Sequence, residues 1–197
     1  MKTFMERLRI SPEIQAFFHI AELRFDYGTE AEIFQEGLHV VPTTTNAWLA
    51  GNNYAPEVII THSAMEAIAW YVYHSHRYRD PQNLAFVSLG NLPCEEQISW
   101  LRRSFARRKF TLVFGNQMLG GLTDIWVASA LKGKPAQLRW QKEKTGVSFM
   151  GRYLEFLETQ SSLHAFETAF NFRTGIRTSK PTRHSTYLAQ LIHDAEY

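Results

Sequence analysis

Two segments of the chain place residues with chemical potential directly after an apolar, β-branched run. In the first, Val58–Thr61 is followed by His62 and, four residues later, by Glu66. In the second, Phe110–Phe114 is followed by a glycine-rich turn from Gly115 to Gly121. Because ligands of open parallel sheets bind outside the carboxyl ends of the strands, both segments are candidates for one site.

The first segment admits an enzymatic and a structural interpretation. His62 could act as a general base with Glu66 or Asp124 as its partner, which would make the protein a phosphoryl-transfer enzyme. Glu66 also fits a capping box with Ser63 at the N-cap, and Asp124 can simply begin a helix. The sequence leaves both interpretations open.

The second segment offers backbone rather than side-chain chemistry. At the start of a predicted helix, the N–H groups of Gly115, Asn116, Gly120 and Gly121 can receive a phosphate without a metal. The segment has neither the Walker A pattern nor the Gly-x-Gly-x-x-Gly pattern of dinucleotide sites. A tight strand-to-helix turn explains the glycines equally well.

Strands and helices alternate in the region that must position these residues. Apolar runs at 58–61, 84–89 and 110–114 predict strands, and apolar residues at helical spacing follow each of them. Gln137–Trp140 is expected to be a fourth strand. This alternation predicts a parallel α/β sheet flanked by helices, α+β overall.

The segments on either side of this core predict smaller units. We expect helix in the first thirty residues, then a β-meander over Ala31–Phe34, Leu38–Val41 and Ala47–Leu49. Helices are expected over Phe149–Leu157, Ser162–Phe170 and Ser185–Ile192. The predicted division is 1–56, an N-terminal helix and β-meander; 57–140, the α/β core; and 141–197, a C-terminal helical extension with a basic loop.

Composition excludes several classes of protein. The chain has 197 residues, of which 45% are hydrophobic, so general disorder is excluded. No apolar run approaches the roughly 20 residues of a membrane span, and charges occupy the N-terminus where a signal peptide would be apolar. The single Cys94 excludes an internal disulfide and a cysteine-cluster zinc site. We therefore expect a soluble, cytoplasmic protein without a membrane partner.

Charge is unevenly distributed although the net charge is only +2. Residues 1–66 have a local charge of −5 and residues 131–197 one of +4. Between Glu167 and Asp194 the only charged side chains are cations, namely Arg173, Arg177, Lys180 and Arg183. Aromatic residues interleaved with these cations are typical of contacts to a nucleic-acid backbone and stacking on bases, and also of a surface loop.

A second basic cluster follows the second predicted helix of the core. Its members are Arg102, Arg103, Arg107, Arg108 and Lys109. Cations at this position complement the dipole of the helix, and they could equally bind phosphates.

The motif frame resembles the Toprim (topoisomerase–primase) family, especially degenerate members linked to primases and mobile elements. The family's first motif is a strand ending in Glu, followed by an acidic residue that opens a helix. Residues 58–68 fit this frame, with His62 in place of the Glu and Glu66 at the second acidic position. Phe86–Asn91 resembles the family's middle strand and turn.

The family's second motif, a strand followed by Asp-x-Asp-x-x-Gly, fits residues 115–120. Gly115 and Gln117 replace the two aspartates, and Gly120 occupies the glycine position. The resemblance covers about residues 57–140 and includes the order of elements, the spacing and the glycines, but not the catalytic acids.

The resemblance implies a fold and a lost activity. Active members hold Mg²⁺ through the paired aspartates and use the Glu as a general acid–base. Mg²⁺ requires hard oxygen ligands, usually carboxylates, which Gly115 and Gln117 do not supply. We therefore expect no catalytic residue, metal or cofactor, with His62, Glu66, Gly115 and Gln117 as vestigial motif positions.

The prediction from sequence is a non-catalytic Toprim-like domain that binds nucleic acid or nucleotide phosphates. It would be accessory to DNA replication, mobilisation or repair, with replication or mobilisation proteins as possible partners. The alternatives are the phosphoryl-transfer enzyme that uses His62 and Glu66, and a scaffold for protein interactions.

Overall fold

The structure, a computed structural model, describes residues 4–35, 37–141 and 144–196. Its helices are Phe4–Arg7 (α1), Pro12–Phe17 (α2), Ala64–His74 (α3), Glu95–Ser104 (α4), Met118–Leu131 (α5), Leu163–Phe170 (α6) and Tyr187–Glu196 (α7). Its strands are Arg24–Tyr27 (β1), Glu30–Gln35 (β2), Leu38–Val40 (β3), Trp48–Gly51 (β4), Glu57–Thr61 (β5), Leu84–Ser88 (β6), Lys109–Val113 (β7), Gln137–Gln141 (β8), Lys144–Phe149 (β9), Arg152–Leu157 (β10) and Arg177–Thr178 (β11).

A five-stranded sheet in the order β11-β7-β5-β6-β4 forms the centre of the molecule. Neighbouring strands are parallel except for β4, which runs antiparallel to β6 at one edge. Every residue of β6 is buried, as are residues 58–61 of β5. Burial on both faces explains why these strands read as continuous apolar runs.

Helices cover both faces of this sheet. Successive strand side chains point to opposite faces, so Ile59 packs with residues of α3 and α7, whereas Val58 and Ile60 pack with residues of α4 and α5. The connection from β5 to β6 therefore crosses one face through α3, and that from β6 to β7 crosses the other through α4. The predicted α/β class, with a parallel sheet flanked by helices, is confirmed.

The N-terminal segment differs from its prediction in two respects. Arg24–Tyr27 is a strand rather than part of a helical region, because its side chains alternate between exposed and buried. It completes an antiparallel sheet in the order β1-β2-β3. The run predicted as the third meander strand, Ala47–Leu49, instead contributes to β4, which pairs with β6 in the central sheet.

The C-terminal segment holds two further corrections. Gln137–Trp140 is a strand, but it belongs to a separate antiparallel sheet in the order β10-β9-β8 rather than to the parallel sheet. The predicted helix over Phe149–Leu157 is wrong, because β9 ends at Phe149 and β10 begins at Arg152. Met150 and Gly151 between them both have positive φ, at 49° and 76°, which suits a two-residue hairpin turn.

The remaining predicted helices, over 162–170 and 185–192, correspond to α6 and α7. The central sheet takes β4 from residues 1–56 and β11 from residues 141–197, so each flanking segment supplies an edge strand to the core. The predicted three-part division stays a prediction. Within the described residues, no helix combines the length and apolar character needed to cross a bilayer.

Candidate functional site

The strands β5 and β7 are neighbours, and their carboxyl ends lie at the topological switch point of the sheet, because β6 pairs with one side of β5 and β7 pairs with the other. His62 follows β5 and the Gly115 turn follows β7, so the fold brings the two candidate segments together as expected. A cavity of about 260 Å³ opens there. It is lined by His62, Asn91, Leu92, Pro93, Phe114, Gly115, Gln117, Leu119, Gly120, Thr123, Ser185 and Thr186. None of these lining residues is acidic or a permanent cation.

The first turn of α5 faces this cavity and has no side-chain cap. Gln117 occupies the N-cap position but makes no side-chain hydrogen bond to the turn. By contrast, Ser63 caps α3 and Ser162 caps α6, each by accepting from a backbone N–H in the first turn. N–H groups in the first turn of a helix lack intrahelical partners, so α5 presents hydrogen-bond donors at the cavity.

Two of the glycines in the turn are required for packing. A Cβ on Gly120 would overlap the carbonyl oxygen of Phe114, and a Cβ on Gly121 would overlap that of Ser161. Gly115 adopts φ +41°, in the left-handed region. The turn interpretation therefore accounts for these glycines. The predicted phosphate contact of Gly121 is wrong, because its N–H donates to the carbonyl of Gln117 at 3.1 Å and it does not line the cavity, while the roles of Gly115 and Gly120 in phosphate binding stay predictions.

Asn116 fastens the C-terminal loop to the end of β7. Its backbone N–H donates to the carbonyl of Ser185 at 2.8 Å, and its side-chain amide donates to the carbonyl of His184 at 2.8 Å. The predicted role of Asn116 as a phosphate ligand is wrong, because this loop engages its donors. The contact also carries Ser185 and Thr186 to the cavity wall.

Lys180, predicted to contact nucleic acid, has a largely internal role. Its ammonium donates to the carbonyls of Phe114 at 3.0 Å and Gly115 at 2.6 Å. It also lies 2.5 Å from a carboxylate oxygen of Asp124, whose side chain is 1% exposed. No described residue makes a well-directed hydrogen bond to that carboxylate, and burial raises the pKa of Asp124 to about 7 against the opposing effect of Lys180.

Glu66 caps a helix, but not the predicted one. Ser63 is the N-cap of α3, since its hydroxyl accepts from the Glu66 N–H at 3.0 Å. The Glu66 carboxylate instead accepts from the N–H groups of Tyr187 at 2.8 Å and Leu188 at 2.9 Å. The capping box is therefore corrected to a cap on α7, and burial raises the pKa of Glu66 to about 7.

His62 contributes a neutral imidazole to the cavity. Burial lowers its pKa to about 4, and the nearby Glu32 carboxylate only partly opposes this shift. Neither Glu66 nor Asp124 lines the cavity. Glu66 is bonded to the start of α7 and Asp124 is paired with Lys180, so both carboxylates have other partners, and the enzymatic alternative stays a prediction.

Glu32 on β2 is the buried acid that sequence reasoning missed. Its carboxylate is fully buried and accepts from the N–H groups of Ala64 at 2.6 Å and Met65 at 3.0 Å, at the start of α3. The Tyr27 hydroxyl donates to it at 2.8 Å and the His39 ring lies 2.9 Å away. The sequence does hold a sign of this role, because Glu32 occupies an inward position in a strand whose side chains alternate between the two faces. A carboxylate without hydrogen-bond partners would not be stable at such a position.

The vestigial motif positions do not fit Mg²⁺. Gly115 has no side chain, Gln117 offers only an amide oxygen, and Glu66 is committed to α7. In the described part of the chain, no three His, Cys, Asp or Glu residues are grouped so that they could hold a metal ion.

The predicted basic residues lie in different places around the sheet, and we call the side where the parallel strands begin its amino edge and the side where they end its carboxyl edge. Lys109 begins β7, so the cluster Arg102, Arg103, Arg107, Arg108 and Lys109 lies at the amino edge, one strand length of about 16 Å from the cavity. Arg177 on β11 pairs beside Thr111 of β7, and Arg173 contacts Glu167 at 3.6 Å. Arg183 is exposed on the loop that passes the cavity edge.

The two phenylalanines of the basic stretch pack against the protein core to different extents. Phe170 is buried and Phe172 is partly buried against the same core, where both contact Phe149. Burial removes Phe170 from contact with bases, while stacking on the partly exposed Phe172 stays a prediction.

Comparison of the chain with protein-family models, with curated proteins and with solved structures found no match.

Proposed function

We propose that this chain is a non-catalytic Toprim-like domain that binds nucleic acid or nucleotide phosphates. The observation that carries the proposal is the carboxylate-free cavity at the carboxyl ends of β5 and β7, which the uncapped first turn of α5 faces. A phosphate there meets backbone N–H donors and the positive end of a helix dipole. None of the residues that line the cavity is acidic, so the lining itself does not repel a phosphate.

The chemistry of the lining favours binding without a metal. His62 is neutral near pH 7 and can donate one hydrogen bond, while Thr123 and Gln117 add polar groups. A volume of about 260 Å³ suits one phosphate with part of a nucleotide rather than a threaded strand. Binding therefore depends on hydrogen-bond donors, and Mg²⁺ is not needed to neutralise the wall.

The proposed cellular role is inferred from the resemblance of residues 57–140 to the Toprim family. We place the protein in the cytoplasm, beside proteins of DNA replication, mobilisation or repair.

Replacement of His62 tests the cavity directly. We expect His62→Leu to weaken binding of a fluorescein-labelled single strand of about 20 nucleotides by about tenfold, because one hydrogen bond to a charged group is lost. Leu119→Trp, which places a larger side chain at the cavity mouth, should weaken binding similarly. Fluorescence anisotropy measures both, with His76→Leu as the matched control because His76 is an exposed histidine outside the cavity.

Unchanged affinity in both cavity variants, with wild-type unfolding temperatures, would contradict the proposal. A scaffold for a protein partner is the second candidate, favoured by two exposed leucines at the cavity, Leu92 at 59% and Leu119 at 66% exposure. It predicts no oligonucleotide binding by the wild type under any condition.

A further inference from the structure

A second cavity at the amino edge of the sheet is surrounded by cations. It has a volume of about 250 Å³ and lies where α4 and α5 end, beside the loop that precedes β11. We call it the amino-edge pocket, defined by Arg102, Phe105, Ala106, Arg107, Arg108, Phe110, Leu131, Lys132, Gly175 and Ile176. Four of these residues are basic and none is acidic.

Among the described residues, the cations of the amino-edge pocket have no carboxylate partner. Across the described ranges, no carboxylate lies within ion-pair distance of Arg102, Arg107, Arg108 or Lys132. Arg108 is the most enclosed of them, and its Nε is buried without a hydrogen-bond partner in the described structure. Uncompensated guanidinium groups around a concave surface attract anions.

The surroundings extend the positive surface beyond the pocket. Lys134 lies over the Phe172 ring at 5.4 Å, and Arg177 is exposed on the edge strand β11. The helix dipoles explain part of this clustering of cations, because the C-terminal ends of α4 and α5 favour nearby positive charge. The dipoles account for cations near the helix ends, but they do not account for the arrangement of four cations around one cavity.

We propose that the amino-edge pocket binds a phosphate of a nucleic-acid strand, separately from the cavity at the carboxyl edge. The apolar floor, formed by Phe105, Phe110, Leu131 and Ile176, supports the guanidinium groups around the phosphate. The inference rests on the proposed function for its nucleic-acid partner, but it concerns a different surface. A strand bound at this pocket contributes the salt dependence of binding, since the carboxyl-edge cavity has no permanent cation in its lining.

The double variant Arg102→Gln/Lys132→Gln tests the pocket without disturbing the core, because both side chains are exposed. The probe is a labelled single strand of about 20 nucleotides, titrated at about 50 mM and about 200 mM salt. We expect about a tenfold loss of affinity at the lower salt and a fall of about 1.4 in the slope of log affinity against log salt.

The matched control is Arg24→Gln/Lys144→Gln, which removes the same charge from two exposed surface ion pairs elsewhere. Equal losses in the two double variants would overturn the inference, since net charge alone would explain them. Unchanged affinity in Arg102→Gln/Lys132→Gln would also overturn it and leave only the helix-dipole role. If His62→Leu weakens binding while Arg102→Gln/Lys132→Gln does not, the pocket fails and the proposed function stands; the opposite pattern removes the carboxyl-edge cavity instead.

Discussion

Lys180→Met is expected to lower the free energy of unfolding by about 3 to 5 kcal/mol. The substitution leaves the buried Asp124 carboxylate without its positive partner and removes a donor from the carbonyls of Phe114 and Gly115. Because the uncompensated group is an acid, the loss should be greater at about pH 8 than at about pH 5. Urea unfolding followed by circular dichroism at the two pH values measures both effects.

Two variants control this prediction. Arg183→Met, in the same loop but exposed, should change stability by less than about 0.5 kcal/mol. The double variant Asp124→Leu/Lys180→Met should recover most of the loss, since it removes both charges together. If Lys180→Met is as stable as Arg183→Met, the ion pair does not hold the loop against the end of β7.

Glu66→Ala is expected to destabilise the protein by about 3 kcal/mol, because the N–H groups of Tyr187 and Leu188 lose their acceptors in a buried position. Loss of this cap should release α7 first, so amide hydrogen exchange in α7 should accelerate more than exchange in α5. Urea unfolding and hydrogen exchange by mass spectrometry measure the two effects.

Glu66→Gln separates the charge of this side chain from its packing. Burial raises the folded-state pKa of Glu66 from its ordinary value of 4.5 to about 7, so its contribution to stability is greatest below about 4.5 and is lost as pH rises through about 7. Removing the charge should therefore flatten the fall in stability between about pH 5 and about pH 8, by at most about 3 kcal/mol. An identical pH profile in Glu66→Gln and wild type would contradict the raised pKa of this carboxyl group.

The core sheet could be predicted because its signals are local. The β-branched run at 58–61 is buried on both faces, and the alternation of strand and helix leaves few arrangements for it. The strand end at His62 and the turn at Gly115 then meet at the switch point of the sheet. By contrast, β10 was missed because a two-residue turn at Met150 and Gly151 reverses the chain, and its helical spacing was accidental.

The partners of the buried charges could not be predicted, because they are distant in sequence. Lys180 contacts the carbonyl of Gly115 across 65 positions, and Glu66 contacts the N–H of Tyr187 across 121. The composition of the basic stretch predicts the same nucleic-acid contact for Lys180 and Arg183. In the structure, Lys180 is paired with the buried Asp124, whereas Arg183 is exposed. Only the folded chain distinguishes a cation that satisfies a buried acid from one that is free to meet a ligand.

The central claim, phosphate binding at a site that does not use a metal, is tested most directly by anisotropy titration of wild-type protein with labelled oligonucleotides. Single-stranded and duplex probes are titrated in Mg²⁺ and in EDTA at constant ionic strength, and then at higher salt. The account predicts affinity that is the same with and without Mg²⁺, and it attributes the weakening of that affinity by salt to the cations of the amino-edge pocket. Binding that requires Mg²⁺ would contradict it, because metal ligands would then have to be sought among carboxylates outside the cavity.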